Sequence, residues 1–494
     1  MARSQVGGFV RDSLGTALSQ YVARFALMMR GVVAAAALGP MGFGGWNALN
    51  LLLDYGSYAS AGALQGLDLD LPPAAARADR ARADQVMAGA WALVLLGGGL
   101  FTLVAVGCLA AGVGRGAMPW GWGPPLLMLA AVILQLAIQY HSGALRAHGD
   151  FQAVSAALAA QAVLGGGLGL ALVTSLGVRG LLWGWLAGSV VALLWLRRGP
   201  IRPPLAPGSL GVGLTLARRG LPIFGLYAAS LVLRSVDRIA CVRYVGAEGL
   251  GHYSLGLMAA GLILYLPEAA AAVLYPRMSA AAQGARDPER TRAELKRAHQ
   301  ALAVLLPPAV ACGMVWSGPV VAWLLPAFRE GVPALRLLAL GALILSGATL
   351  PSYFVLASGP RGRMLAMGAA VALLTAALVF SVASRDPRPV AIALAECAGY
   401  AGFAAGIVAL AAPRLCATAG ERLRFAATGF VPTLWAGGLA LAACAVGGSD
   451  SAALAALRSL AVLVAYAPLL WWFGRGAGLG RAARTWLAGS MTRS

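Results

Sequence analysis

Leu38-Gly39-Pro40-Met41-Gly42-Phe43-Gly44-Gly45-Trp46 and Val245-Gly246-Ala247-Glu248-Gly249-Leu250-Gly251-His252-Tyr253 match at a constant offset, and each lies between two apolar runs of helical length. Glycine in that spacing suits a tight turn between long helices, because it takes positive φ without a Cβ penalty. A turn repeated in this way marks an internally duplicated chain.

Outward from the two turns, apolar runs long enough to span a bilayer fall at about 14–38, 42–66, 85–112, 119–143, 151–173 and 177–196. A second series falls at about 219–243, 250–275, 299–325, 334–357, 364–384, 389–412, 425–446 and 454–474. The reading is an all-α integral membrane protein of about 14 transmembrane helices. Six helices separate the turns, an even number, so the two repeats enter the membrane in the same direction. Parallel repeats related by an axis along the membrane normal are a transporter architecture. The domain division that follows is 1–205 for helices 1–6, 206–412 for helices 7–12, and 413–494 for two added helices and a tail.

Composition agrees: hydrophobic residues make up 60% of 494 positions and charged residues 11%, with a mean hydropathy of +0.76. Such surface must face lipid. The formal charge of +20 sits in alternate loops. One set holds Arg77, Arg80 and Arg82; Arg146; Arg197, Arg198, Arg202, Arg218 and Arg219; Arg277, Arg286, Arg290, Arg292, Lys296 and Arg297; Arg361 and Arg363; Arg414, Arg422 and Arg424. The other set is poor in arginine. By the positive-inside rule the rich loops and both termini are cytoplasmic, which accounts for the charge without a nucleic-acid partner; the expected location is a bacterial inner membrane. The start, with Arg3, Arg11 and Asp12, lacks the pattern of a cleaved signal, so the first helix is expected to remain as a span. The six cysteines are scattered, with no CxxC pair and no His cluster beside them, so no disulfide framework and no metal site is read.

The repeated turn, the stretch Arg234-Ser235-Val236-Asp237-Arg238 before its second copy, and the helix end Leu274-Tyr275-Pro276-Arg277-Met278-Ser279 resemble polysaccharide-transporter flippases. These belong to the multidrug/oligosaccharidyl-lipid/polysaccharide exporter superfamily, whose members include O-antigen (Wzx-type) and lipid II flippases. The resemblance covers roughly residues 10–412. It implies two six-helix lobes forming a V around a basic cavity, and movement of an isoprenoid-linked sugar from the cytoplasmic to the outer leaflet. The partners it implies are the lipid bilayer, a polyprenyl-linked oligosaccharide as substrate, and polysaccharide polymerase or export machinery.

Arg24 and Arg30 lie inside the first run, Arg234 and Arg238 inside the seventh. Each charge at mid-depth costs on the order of 3 kcal/mol on insertion scales. Arg234, Asp237 and Arg238 share one helical face, and Asp237 can neutralise only one arginine. The first and seventh runs are equivalent helices, so both are expected to present arginines to the cavity, where a planar guanidinium pairs two pyrophosphate oxygens at once. The plainer alternative is that Arg24 and Arg30 snorkel to the interfaces and that Arg234 and Asp237 form a structural ion pair. Asp54 and Glu396 are membrane carboxylates of the kind that bind a coupling H+ or Na+, or that pair with a cavity arginine. No cofactor is expected beyond such coupling or the membrane potential. Glu268, Gln135, Gln139 and His141 read as helix-to-helix hydrogen-bonding groups.

The leading expectation is a flippase and not an enzyme, so no catalytic residue is assigned. The rivals are a lipid II-type precursor flippase, a cation-coupled drug exporter, a membrane polymerase or ligase, and a scaffold in an export complex. A drug exporter favours acidic cavity residues for its cationic substrates, and a polymerase or ligase needs a sizeable outer loop or a carboxylate or His there. Four membrane arginines argue against the first, and outer loops of only a few residues against the second.

Overall fold

The computed structural model describes residues 2–112, 121–198, 209–446 and 451–477, with side chains described from Met29 to Phe473 except at Leu226 and Arg361. Among the described residues the secondary structure is helical and contains no strand. Twelve helices there are long and apolar enough to cross a membrane, and the bent pair Ser209–Gly225 and Tyr227–Leu233 makes a thirteenth. The first expected span, 14–38, falls on a helix whose side chains before Met29 lie outside the described residues.

α1 (Ala2–Gly56) contains both the first span and the start of the second, separated at Gly39. α2 (Ala63–Ala76) continues the second span after a non-helical turn. There follow α3 (Arg80–Ala110), α4 (Gly123–Ala147), α5 (Phe151–Leu176) and α6 (Val178–Leu196). The seventh span is built from α7 (Ser209–Leu233), α8 (Val236–Ala240) and a π turn, Cys241–Val245. Beyond it come α9 (Ala247–Ala282), α10 (Pro288–Leu324), α11 (Val332–Ser358), α12 (Arg361–Arg385), α13 (Pro389–Leu415), α14 (Ala419–Ala445) and α15 (Ala452–Ala477).

Local chemistry fixes several of these starts. Asp79 and Asp150 each accept the backbone N–H three residues on, at 3.0 Å, and so cap α3 and α5. Thr418 caps α14 by accepting from the Glu421 N–H at 3.2 Å, while Glu421 reaches back to the Ala417 N–H at 3.0 Å. α10 begins well before the apolar run at 299, because Asp287 accepts from the Glu289 N–H at 2.9 Å and Pro288 suits the first helical position. The charged stretch 288–298 is thereby helical and not loop.

The two repeat turns have the same backbone. Gly39 sits at φ 65°, ψ 178° and Gly246, 207 residues later, at φ 90°, ψ −173°, a region open essentially to glycine alone. The helices leaving the turns cross at glycines: a Cβ on Gly44 would lie 1.7 Å from the Ala247 carbonyl oxygen, and one on Gly251 would lie 1.9 Å from the Pro40 carbonyl oxygen. Since Pro40 corresponds to Ala247 and Gly44 to Gly251, the contact is reciprocal, a local two-fold between the repeat copies. Small residues permit this close approach of backbones, which is the ordinary basis of helix packing in lipid.

The chain forms two compact units. One holds Val32–Gly251 with Ala383–Arg388; the other holds Met1–Gly31, His252–Val382 and Pro389–Ser494. α7, α8 and the π turn therefore pack with the helices of the first repeat. The core of the first unit gathers Leu67, Leu71, Val86, Val132, Leu136 and Tyr140. The second unit is cored by Leu350, Val355, Ala411 and Phe425 and, separately, by Val315, Leu343, Ala436 and Tyr466.

Candidate functional site

The apolar run at 219–243 reads as one continuous helix, and the structure breaks it. α7 ends at Leu233, Arg234 and Ser235 form a turn, and α8 restarts at Val236 before passing into the π turn. No proline or glycine lies at the break. It is held instead by Ser235, fully buried, whose hydroxyl donates to the Leu231 carbonyl at 2.6 Å. With its proton committed there, Ser235 Oγ accepts from the Tyr55 hydroxyl at 2.8 Å. Tyr55 lies at the end of α1, beside a second break: α1 stops at Gly56 and α2 starts at Ala63, with Ala61 and Gly62 at positive φ. Two discontinuous membrane helices thus meet at their interruptions. Non-helical backbone at membrane depth is tolerated only where protein or a water-filled cavity surrounds it, and in transporters it marks binding sites.

Across this junction Arg238 Nη1 donates to Asp54 Oδ2 at 2.9 Å. The side chain of Arg238 is 14% exposed and that of Asp54 38%. A second guanidinium nitrogen of Arg238 lies 3.5 Å from the Arg234 carbonyl oxygen. Asp237 is completely buried and accepts the Arg238 backbone N–H at 2.7 Å. Arg234 stands exposed in the turn itself. In the break four residues beyond Asp54, the ring of Tyr58 packs edge-on to Phe224 at 6.3 Å and against Tyr227 at 6.4 Å. The junction is therefore an ion pair with one further exposed arginine, walled by aromatic rings.

α7 is pressed onto α2 and α3 by small residues. A Cβ on Gly220 would meet the Gly62 carbonyl oxygen at 2.0 Å, and one on Gly213 the Gly89 carbonyl oxygen at 2.5 Å. At the Arg-rich end, Asp70 of α2 holds Arg219 at 2.8 Å and Arg82 at 3.5 Å, and Asp68 holds Arg146 at 3.3 Å. Of these pairs only the one with Arg219 reaches α7, and each contributes little energy.

Of the residues singled out in the sequence, the structure brings Asp54, Arg234, Asp237 and Arg238 together in one unit. Arg30 lies half-buried in α1 and Glu396 fully buried in α13, both in the other unit. The side chain of Arg24 lies outside the described residues. Gln135 does bridge helices, accepting from Gln161 Nε2 at 3.1 Å, and Gln161 also donates to Ser189 at 3.0 Å. Sequence reasoning passed over Tyr55, Tyr58, Phe224 and Tyr227, which carry no signal apart from adjacency to Asp54 and an aromatic character common in membrane helices.

A family model described as polysaccharide biosynthesis protein matches residues 86–327. The fold is similar to that of the lipid II flippase MurJ in its inward closed conformation, with a TM-score of 0.71 at 13% identity over 93% of this chain and 98% of that one. It is also similar to an inward-facing multidrug resistance MATE family transporter of the MOP superfamily, with a TM-score of 0.62 at 18% identity over 82% of this chain and 98% of that one. The chain is thus similar over 86–327 to a polysaccharide biosynthesis family, and its fold is that of the flippase and MATE transporter structures it resembles. The chain is a multi-pass membrane protein with a transporter-like fold. No curated protein is similar enough in sequence to be aligned with it.

Proposed function

We propose that this chain is a flippase that carries a polyprenyl-pyrophosphate-linked oligosaccharide from the cytoplasmic to the outer leaflet of the bacterial inner membrane, for cell-surface polysaccharide biosynthesis. The observation that carries the reading is Arg238, enclosed at a break in the seventh span beside the exposed Arg234, in a chain matched over 86–327 by a polysaccharide biosynthesis family. Cations held at membrane depth are costly and need a reason. An anionic headgroup supplies one, because guanidinium groups pair phosphate oxygens two at a time.

In this reading Arg24, Arg30, Arg234 and Arg238 form the cation set, the lobes 1–205 and 206–412 alternate in access, and both termini and the Arg-rich loops face the cytoplasm. The lipid tail stays in the bilayer while the sugars cross with the headgroup. An inside-negative potential favours outward movement of negative charge by about 2.3 kcal/mol per charge per 100 mV, so potential alone is a sufficient energy source and Glu396 need not bind a coupling ion. The same set of membrane arginines disfavours cationic drugs as cargo. The chain acts as a transporter, and no chemical step is assigned to it.

The test is in cells. The Arg234→Ala, Arg238→Ala double variant, monitored for protein level and membrane insertion, loses surface polysaccharide and accumulates lipid-linked precursor while remaining inserted. Normal export by that variant contradicts the proposal.

A further inference from the structure

We propose that Asp54 is a built-in occupant of the anion site at Arg238, exchanged for the headgroup phosphate when substrate binds; this rests on the flippase reading above. The pair joins two different spans, with Arg238 Nη1 on Asp54 Oδ2 at 2.9 Å. A carboxylate oxygen and a phosphate oxygen make the same charge-assisted bond to a guanidinium. The two partners are unequally enclosed: Arg238 is 14% exposed and Asp54 38%. Removing an anion from Arg238 without replacement strands an enclosed cation at membrane depth, which is costly. Asp54, the more open of the two, loses less when it lets go. The asymmetry makes Asp54 the group that moves and Arg238 the group that stays.

Asp237 is not the exchanging group, although it is adjacent. It is fully buried and bonded to the Arg238 N–H of its own helix at 2.7 Å. Asp54, by contrast, is brought to Arg238 by contacts that hold the second span to the seventh: Tyr55 bonded to Ser235 at 2.8 Å, and the Tyr58 ring against Phe224 and Tyr227. Exchange has two consequences. It lowers the net affinity of the site below that of a bare arginine, which favours release of a multiply charged headgroup. It also removes the ionic tie between the breaks of the two spans, so they loosen from each other only when an anion has taken over Arg238.

Titration calorimetry of inorganic pyrophosphate into the purified full-length chain tests this. Wild type binds weakly, Asp54→Asn and Asp54→Ser each bind roughly tenfold more tightly, and Arg238→Ala abolishes binding. The gain vanishes in the Asp54→Asn, Arg238→Ala double variant, and Asp237→Asn does not reproduce it, which separates an occupant of the site from a general change in charge. If wild type binds and neither folded Asp54 variant binds more tightly, the occupant role is wrong and the flippase reading stands. If no variant and no wild-type sample binds pyrophosphate, the anionic-substrate reading fails and takes this inference with it.

Discussion

Gly39 and Gly246 hold the same backbone conformation 207 residues apart, yet the helix before Gly39 runs unbroken from Ala2, whereas the helix before Gly246 is interrupted at Arg234 and Ser235 and ends in a π turn. Charge diverges as well. At the repeat offset Arg30 corresponds to Asp237, and Gly31 to Arg238. Duplication has kept the turn, where geometry admits only glycine, and has released the preceding helix, where a break and a new ion pair build a site. The scaffold is symmetric and the chemistry is not.

The strongest way to break that contrast is to remove its charges. Arg238→Ala is expected to reduce transport to background, and Arg30→Ala, on the unbroken helix, to leave a measurable fraction; precursor accumulation in cells measures both. Equal losses would mean that the seventh span has no special place. The symmetric half of the contrast is tested at the glycine crossing. Gly44→Leu and Gly251→Leu each drive a side chain into a backbone carbonyl and should lower stability by about 1–3 kcal/mol each, seen as similar falls in thermal midpoint. A fall in only one of them would show that the reciprocal contact is not shared by the two copies.

Smaller effects sharpen the account of the break. Tyr55→Phe removes one hydrogen bond between spans and should cost about 0.6 kcal/mol, the average for such bonds in a membrane protein. Ser235→Ala should be non-additive with it in a double-mutant cycle on thermal stability. Smallest of all, Asp70→Asn loosens Arg219 and Arg82 at the exposed end of α7 and should change stability by less than about 1 kcal/mol. A larger loss would mean that this pair, and not the glycine seam of Gly213 and Gly220, positions α7.

Much of this architecture was legible in the sequence, because lipid imposes a simple rule: apolar runs must be helices, and glycine must stand where the backbone turns sharply. The repeat turn is visible for that reason, and the observed helices follow the apolar runs closely from α3 to α6 and from α11 to α15. The run at 299–325 under-reads α10, since the capped, charged turns before His299 lie outside the apolar window. The breaks after Asp54 and before Val236 were illegible. Ser235 interrupts the helix through a bond to Tyr55, a residue 180 positions away, and no local propensity encodes a partner so distant. Asp54, Arg234, Asp237 and Arg238 could each be picked out as charges in apolar surroundings. Asp237 was read as a possible partner of Arg234, and Asp54 as a possible partner of a cavity arginine; the fold pairs Asp54 with Arg238.

The central claim is tested most directly by following a fluorescent polyprenyl-pyrophosphate-linked sugar in proteoliposomes, with a membrane-impermeant quencher reporting leaflet exchange. Wild type should move the lipid between leaflets and Arg238→Ala, reconstituted to the same density, should not. Equal exchange by the two proteins, or none by wild type under an imposed potential of either sign, would contradict the claim that an anionic lipid headgroup passes through the broken seventh span.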